Sequence, residues 1–166
     1  MAYLVGIPLL VVLAILQSSL LGTFRFIDGR PDLILLAVIG WALAGGKTEA
    51  MVWGLIGGSL LDMFSEMPFG SSAIILILVA YLVSLYERRV WEAHLLMPLG
   101  ITLLGSLAYH FWFVAVLLLM GRTIDLNFAI GRVILPSLFL NVILALPASQ
   151  LLTGLRRRLY PSELEI

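Results

Sequence analysis

Residues 50–70 read AMVWGLIGGSLLDMFSEMPFG, and this stretch decides the class of fold. It is apolar from Ala50 to Phe64 with one charge, Asp62, close to the end. Glu66, Pro68 and Gly70 then make a polar, turn-forming break before a new apolar run opens at Ser71. Apolar runs separated by short breaks are the pattern of helices in a bilayer, where each backbone polar group must find its partner inside the protein. Ala50, Gly54, Gly58 and Asp62 recur every fourth residue and therefore share one helix face. Gly54 and Gly58 form a GxxxG pair, which lets another backbone approach closely. Two readings of that face stand side by side: packing between helices of this chain, or docking of a partner's transmembrane helix.

The same pattern continues in both directions. Apolar runs cover Tyr3 to Leu21, Leu33 to Ala44, Ala50 to Phe64, Ser71 to Leu85, Leu95 to Met120 and roughly Ala129 to Leu155. Hydrophobic residues make up 61% of the 166 and charged residues 12%, where soluble domains carry about 25% charged. With a mean hydropathy of +1.10, too little polar side chain exists to clothe a soluble surface, which excludes both a soluble domain and a disordered tail. A bilayer core of about 30 Å takes about 20 helical residues per crossing. We therefore expect an all-α polytopic membrane protein of about six transmembrane helices, in a single domain over 1–166. The first run lacks the basic start and small-residue cleavage site of a signal peptide and is read as a retained helix.

The second and third runs are short for a full crossing. Residues 33–64 are therefore read either as two spans or as a re-entrant hairpin between four longer ones. Both readings leave the termini on one side. With a cytoplasmic N-terminus the inner loops hold Lys47, Arg88, Arg89 and Arg156-Arg157-Arg158, and the outer ones Arg25, Arg30, Arg122 and Arg132. The arginine triplet directly after the last run argues for cytoplasmic termini. Zero cysteines exclude disulfides, iron–sulfur clusters and thiol catalysis. The net charge of zero gives no reason to expect nucleic acid as a partner.

Asp62 is the most informative single residue, because a carboxylate at the membrane boundary is costly unless paired or wet. Arg30 falls on the same side, so an Arg30–Asp62 ion pair is one expectation; a helix cap or a hydrated carboxylate is the other. Arg30-Pro31-Asp32 reads as a helix entry with Asp32 as N-cap. Pro68 and Gly70 read as a turn, with Ser71 or Ser72 capping the next helix.

Chemistry-bearing groups are sparse. Ser106 and His110 lie four apart on one helix without a supporting motif, so a buried hydroxyl is expected there rather than a nucleophile. His94 and His110 are too few for a metal centre. Gln17, Asn141 and Gln150 are expected to make interhelical hydrogen bonds. Glu87 to Glu92 with Trp91, and Arg156–Arg158 with Tyr160, read as interfacial anchors. No cofactor and no enzymatic activity are expected.

Three early strings carry a resemblance. They are Leu16-Gln17-Ser18-Ser19-Leu20-Leu21, Arg30-Pro31-Asp32 followed by Trp41-Ala42-Leu43, and Gly54-x-x-Gly57-Gly58-x-x-x-Asp62-x-x-Ser65-x-x-Pro68-x-Gly70. Together they resemble the bacterial rod shape-determining MreD family. The resemblance implies a non-enzymatic inner-membrane component of the cell-elongation machinery that builds the lateral wall. It implies association with MreC, a single-span coiled-coil protein, and through it with MreB filaments, RodA and a class B penicillin-binding transpeptidase. It also implies a six-helix arrangement similar to the S components of energy-coupling-factor transporters. The matching positions are Arg30, Pro31, Asp32, Gly54, Gly58, Asp62, Ser65, Pro68 and Gly70, expected to be structural or partner-facing. The rival from another class is a solute-binding transporter subunit, with Asp62, Arg30, Gln17 and Asn141 available to line a pocket.

Overall fold

The computed structural model describes residues 2–20, 28–85 and 96–160. Helix α1 (Ala2–Ile15) continues into a π-helical stretch, Leu16–Leu20. It is followed by α2 (Leu33–Leu43), α3 (Lys47–Met63), α4 (Ser71–Ser84) and α5 (Met97–Leu119). The last helix, α6 (Leu126–Leu159), holds a second π-helical stretch at Ala129–Ile134. Each apolar run thus forms one helix, with ends within a few residues of those expected. Arg25, the anchor stretch 87–92 and His94 lie outside the described residues. Among the described residues only α5 and α6, at 23 and 34 residues, are long and apolar enough to cross a membrane unaided.

Helix α2 is the centre of the molecule. Every residue from Ile34 to Ala44 is buried, and α1, α3, α4, α5 and α6 all pack against it. A helix apolar all round has no polar face to turn to water, so enclosure is the arrangement its sequence demands. Its 11 residues rise only about 16 Å. The five other helices enclose it on all sides. The stacked indoles of Trp41 and Trp53, with centroids 4.3 Å apart, join α2 to α3. Gly6 of α1 lies against the Trp53 ring, where a Cβ would collide with it.

The turns follow from local chemistry. Gly45 ends α2 at φ +98°, with Gly46 N donating to Trp41 O and Gly45 N to Ala42 O. That is a Schellman motif, which requires a left-handed residue after the helix. Gly121 repeats it after α5 at φ +73°, with Arg122 N donating to Leu117 O.

The face carrying Gly54 and Gly58 packs on α4. A Cβ on Gly54 would sit 3.0 Å from the Leu76 carbonyl carbon. One on Gly58 would sit 2.7 Å from that of Ser72 and closer still to Ala73 N and Cα. Of the two readings of this face, internal packing is therefore the one realised. A partner's helix has no access to Gly54 or Gly58, which corrects the docking reading: α4 already occupies the groove.

Short connections make the helices alternate in direction. The C-terminal ends of α1, α3 and α5 meet the N-terminal ends of α2, α4 and α6 at one end of the bundle, tied by Ile34 N to Gln17, Ser72 N to Asp62 and Arg122 to Glu66. The opposite end gathers Trp41, Glu49, Arg156 and Tyr160. The first and last described residues belong to this second end. Large apolar side chains cover the perimeter, among them Leu104, Leu119, Phe139 and Leu151, each more than half exposed. So extensive an apolar surface is unsuited to water.

Candidate functional site

At the first end, two helix N-termini are capped by side chains from the preceding helix rather than their own. Gln17, placed by the π-helical end of α1, accepts a hydrogen bond from Ile34 N through Oε1 at 3.2 Å. Asp62 of α3 accepts from Gly70 N at 2.7 Å, from Ser72 N at 3.1 and 3.2 Å, and from Ser71 Oγ at 3.4 Å. A carboxylate at a helix N-terminus satisfies donors that the helix leaves open and faces the positive end of its dipole. Asp62 is thus a cap for α4, and among the described residues no ion pair joins it to Arg30. This corrects the expected Arg30–Asp62 pair. It also corrects the expectation for Ser71 and Ser72, whose side chains do not cap the helix. The Ser71 hydroxyl donates to Pro68 O at 2.8 Å, closing the turn, and Ser65 Oγ accepts from Met67 N at 3.3 Å.

Asp32 sits at the N-cap position of α2 but makes no side-chain cap there. Its backbone N donates to Asn141 Oδ1 at 2.8 Å, and Asn141 Nδ2 donates back to Asp32 Oδ2 at 2.9 Å. Asn141 Nδ2 also donates to Ser106 Oγ at 3.1 Å. Asn141 and Ser106 are fully buried and Asp32 nearly so. His110 Nε2 approaches Asp32 Oδ2 at 3.5 Å, while its Nδ1 lies 2.8 Å from Ser106 O. A carbonyl oxygen only accepts, so Nδ1 carries a proton and donates it. This network joins α2, α5 and α6 at three points. Ser106 and His110 do not form a nucleophile–base pair: the serine contributes its carbonyl to the histidine and its hydroxyl to Asn141. Gln17 and Asn141 do make the expected interhelical bonds; Gln150 is exposed and makes none among the described residues.

Above this network lies a cavity of about 530 Å3. Gln17, Ser18, Arg30, Asp32, Ser65, Glu66, Ser72, Tyr109, His110, Arg122 and Ser137 form its polar part, and Leu61, Phe64, Met67, Phe113, Leu117 and Val133 its apolar walls. The segment of chain before α2 is held over it by α6: Asp28 N donates to Arg132 O at 3.2 Å and Arg30 N to Ser137 Oγ at 3.0 Å. Arg30 is exposed, Pro31 half-buried, Ser65 and Pro68 exposed. Gly70 stands at φ +95°, which a Cβ-bearing residue adopts only with strain. The structure therefore brings Arg30, Asp32 and Ser65 to one cavity, commits Asp62 and Gly70 to the α3–α4 turn, and buries Gly54 and Gly58 between helices.

A family model described as rod shape-determining protein MreD matches residues 1–158. The chain belongs to the MreD family. It is thus a member of a membrane-protein family involved in rod shape determination, part of a shape-determining system with MreC and MreB. No curated protein and no solved structure matches it. The likeness to S components that the resemblance implied has no solved structure behind it.

The second end of this MreD-family protein holds a cluster centred on Glu49, a residue that sequence reading did not single out. Glu49, in the first turn of α3 before the apolar run, accepts from Trp41 Nε1 at 2.9 Å, Arg156 Nη1 at 3.0 Å and the Tyr160 hydroxyl. Arg156 also lies over the Trp41 and Tyr160 rings, 5.6 and 5.2 Å from their centroids. Of the arginine triplet, only Arg157 and Arg158 point outward as an anchor would; Arg156 turns in. Burial pushes the Glu49 carboxyl up, but the Tyr160 and Trp41 donors and the Arg156 charge outweigh it and hold it below its ordinary value of 4.5. A carboxylate lowered in this way adds stability above that ordinary value, and the contribution fades as pH falls through the lower, folded one. Glu49→Ala is expected to cost about 1–2 kcal/mol, read as a lower unfolding midpoint in detergent at pH 7. The deficit should shrink in acid.

Proposed function

We propose that this MreD-family protein is a non-enzymatic scaffold of the bacterial cell-elongation complex. It crosses the inner membrane six times with both termini in the cytoplasm, binds an MreC-like single-span coiled-coil protein, and through it supports MreB, RodA and a class B penicillin-binding transpeptidase in lateral wall synthesis. The observation that carries this reading, beside the family match, is where the buried polar groups go. Asp32, Asn141, Ser106 and His110 are committed to one another, which fixes α2, α5 and α6 rigidly and suits a body that positions others. Six spans agree with the helix count. Co-expression with a single-span coiled-coil partner tests the reading: a stoichiometric complex is expected to survive purification in mild detergent. Elution of each protein alone, together with unchanged cell shape on depletion, would refute it.

A second reading is favoured by one feature. The cavity of about 530 Å3 falls in the size range of small-molecule sites, as a solute-binding subunit of an energy-coupling-factor-type transporter needs. A thermal-shift screen against vitamins separates the two. The scaffold reading expects no specific hit; a strong one transfers the chain to the transporter class.

A further inference from the structure

The charged side chains around the cavity are not all paired. Asp32 faces His110, whose Nδ1 proton is donated to Ser106 O. Its Nε2 lies 3.5 Å from Asp32 Oδ2, so the Asp32 carboxylate is turned to the histidine. Glu66 and Arg122 neutralise each other at the rim, 3.3 Å apart. Arg30 is left over. It lines the cavity, is exposed, and has no carboxylate within 4.0 Å among the described residues.

Three further observations bear on what that cation faces. The Ser137 hydroxyl, itself nearly fully buried, accepts from Arg30 N and keeps its own proton to donate. Leu61, Phe64, Phe113, Leu117 and Val133 make the remaining walls apolar. Gln17, Ser18 and Val133 bring both π-helical stretches to the cavity's edge, and such stretches concentrate at functional sites.

The geometry points to an oxyanion site: this cavity binds a phosphate group, carried by an amphiphile or free, with Arg30 and the Ser137 hydroxyl as its donors. Arginine presents a planar fork that matches phosphate oxygens. An acyl or prenyl chain attached to the phosphate would lie along the apolar wall of α5 and α6. This inference goes beyond the scaffold reading and does not depend on it.

The test uses the full chain in micelles, titrated with dioctanoyl phosphatidic acid, with dioctanoylglycerol and with potassium phosphate against chloride at matched ionic strength. Phosphatidic acid is expected to bind, and Arg30→Gln to weaken it about tenfold or more with an unchanged unfolding midpoint. Arg30→Lys should recover part of the loss, since it restores the charge without the fork. Preference for phosphatidic acid over potassium phosphate identifies a lipid headgroup as the source; equal affinities identify free phosphate; both support the site. Equal binding of phosphatidic acid and dioctanoylglycerol, no binding of either phosphate probe, or an Arg30→Gln variant that binds like the parent would overturn it. Partner capture by the parent chain without added phosphate scores the scaffold reading separately.

Discussion

Asp62→Ala is expected to cost about 4 kcal/mol and to deplete the protein from the membrane fraction. The carboxylate holds Gly70 N and Ser72 N, and hydrogen bonds to a charged acceptor contribute about 1.5–3 kcal/mol each. Alanine leaves two backbone donors at the N-terminus of α4, the part-buried Gly70 N and the buried Ser72 N, without their carboxylate acceptor. Asp62→Asn should fall between, at about 2 kcal/mol, because its one carbonyl oxygen serves part of the set while its amide group confronts N–H donors. Arg30→Ala should shift the midpoint by less than about 0.5 kcal/mol. Detergent unfolding midpoints of the three variants decide between a cap and an ion pair: equal losses for Asp62→Ala and Arg30→Ala would reinstate the pair.

That contrast also shows what the sequence can and cannot disclose. Apolar runs long enough to bury and turn residues between them are local signals, so six helices and their ends follow from composition and spacing alone. Gly45 and Gly121 stop their helices for reasons visible in a window of six residues. The ties that build the site are different in kind. Asp32 and Asn141 are 109 residues apart, and Glu49 and Arg156 are 107 apart. Nothing in their neighbourhoods announces a partner. Asp62 illustrates the intermediate case: its unusual position marks it as paired, but the partners are backbone N–H groups, which every residue but proline carries and no sequence pattern singles out. Asp32 fails as a cap for the same reason. Its helix-start position is legible, but Gln17 reaches Ile34 N first because α1 ends in a π-helical stretch beside it, leaving the Asp32 carboxylate to Asn141 and His110.

Gly58→Leu is expected to prevent α3 from seating on α4 altogether, with a loss of more than about 3 kcal/mol. The obstruction is backbone: the first added carbon already meets Ser72 C at 2.7 Å and the Ala73 main chain closer still. Backbone cannot rotate aside as a side-chain tip does, so the whole helix must move. Gly58→Ala should therefore be costly too, at about 2 kcal/mol, whereas Gly54→Ala, whose Cβ meets Leu76 C and O at 3.0 and 3.1 Å, should cost under about 1 kcal/mol. The ordering, with Gly58→Leu worse than Gly58→Ala and Gly58→Ala worse than Gly54→Ala, is read by fluorescence-detected size exclusion of each variant. It also bears on how partner binding is interpreted. A Gly58→Leu variant that loses an MreC-like partner has first lost its α3–α4 contact, so partner loss there reports folding, not a docking face. A docking face has to be sought among the exposed apolar residues, where substitutions such as Leu104→Ala leave the midpoint in place. Should Gly58→Leu unfold at the parental midpoint yet release the partner, the α3–α4 contact would not be the one that this glycine serves.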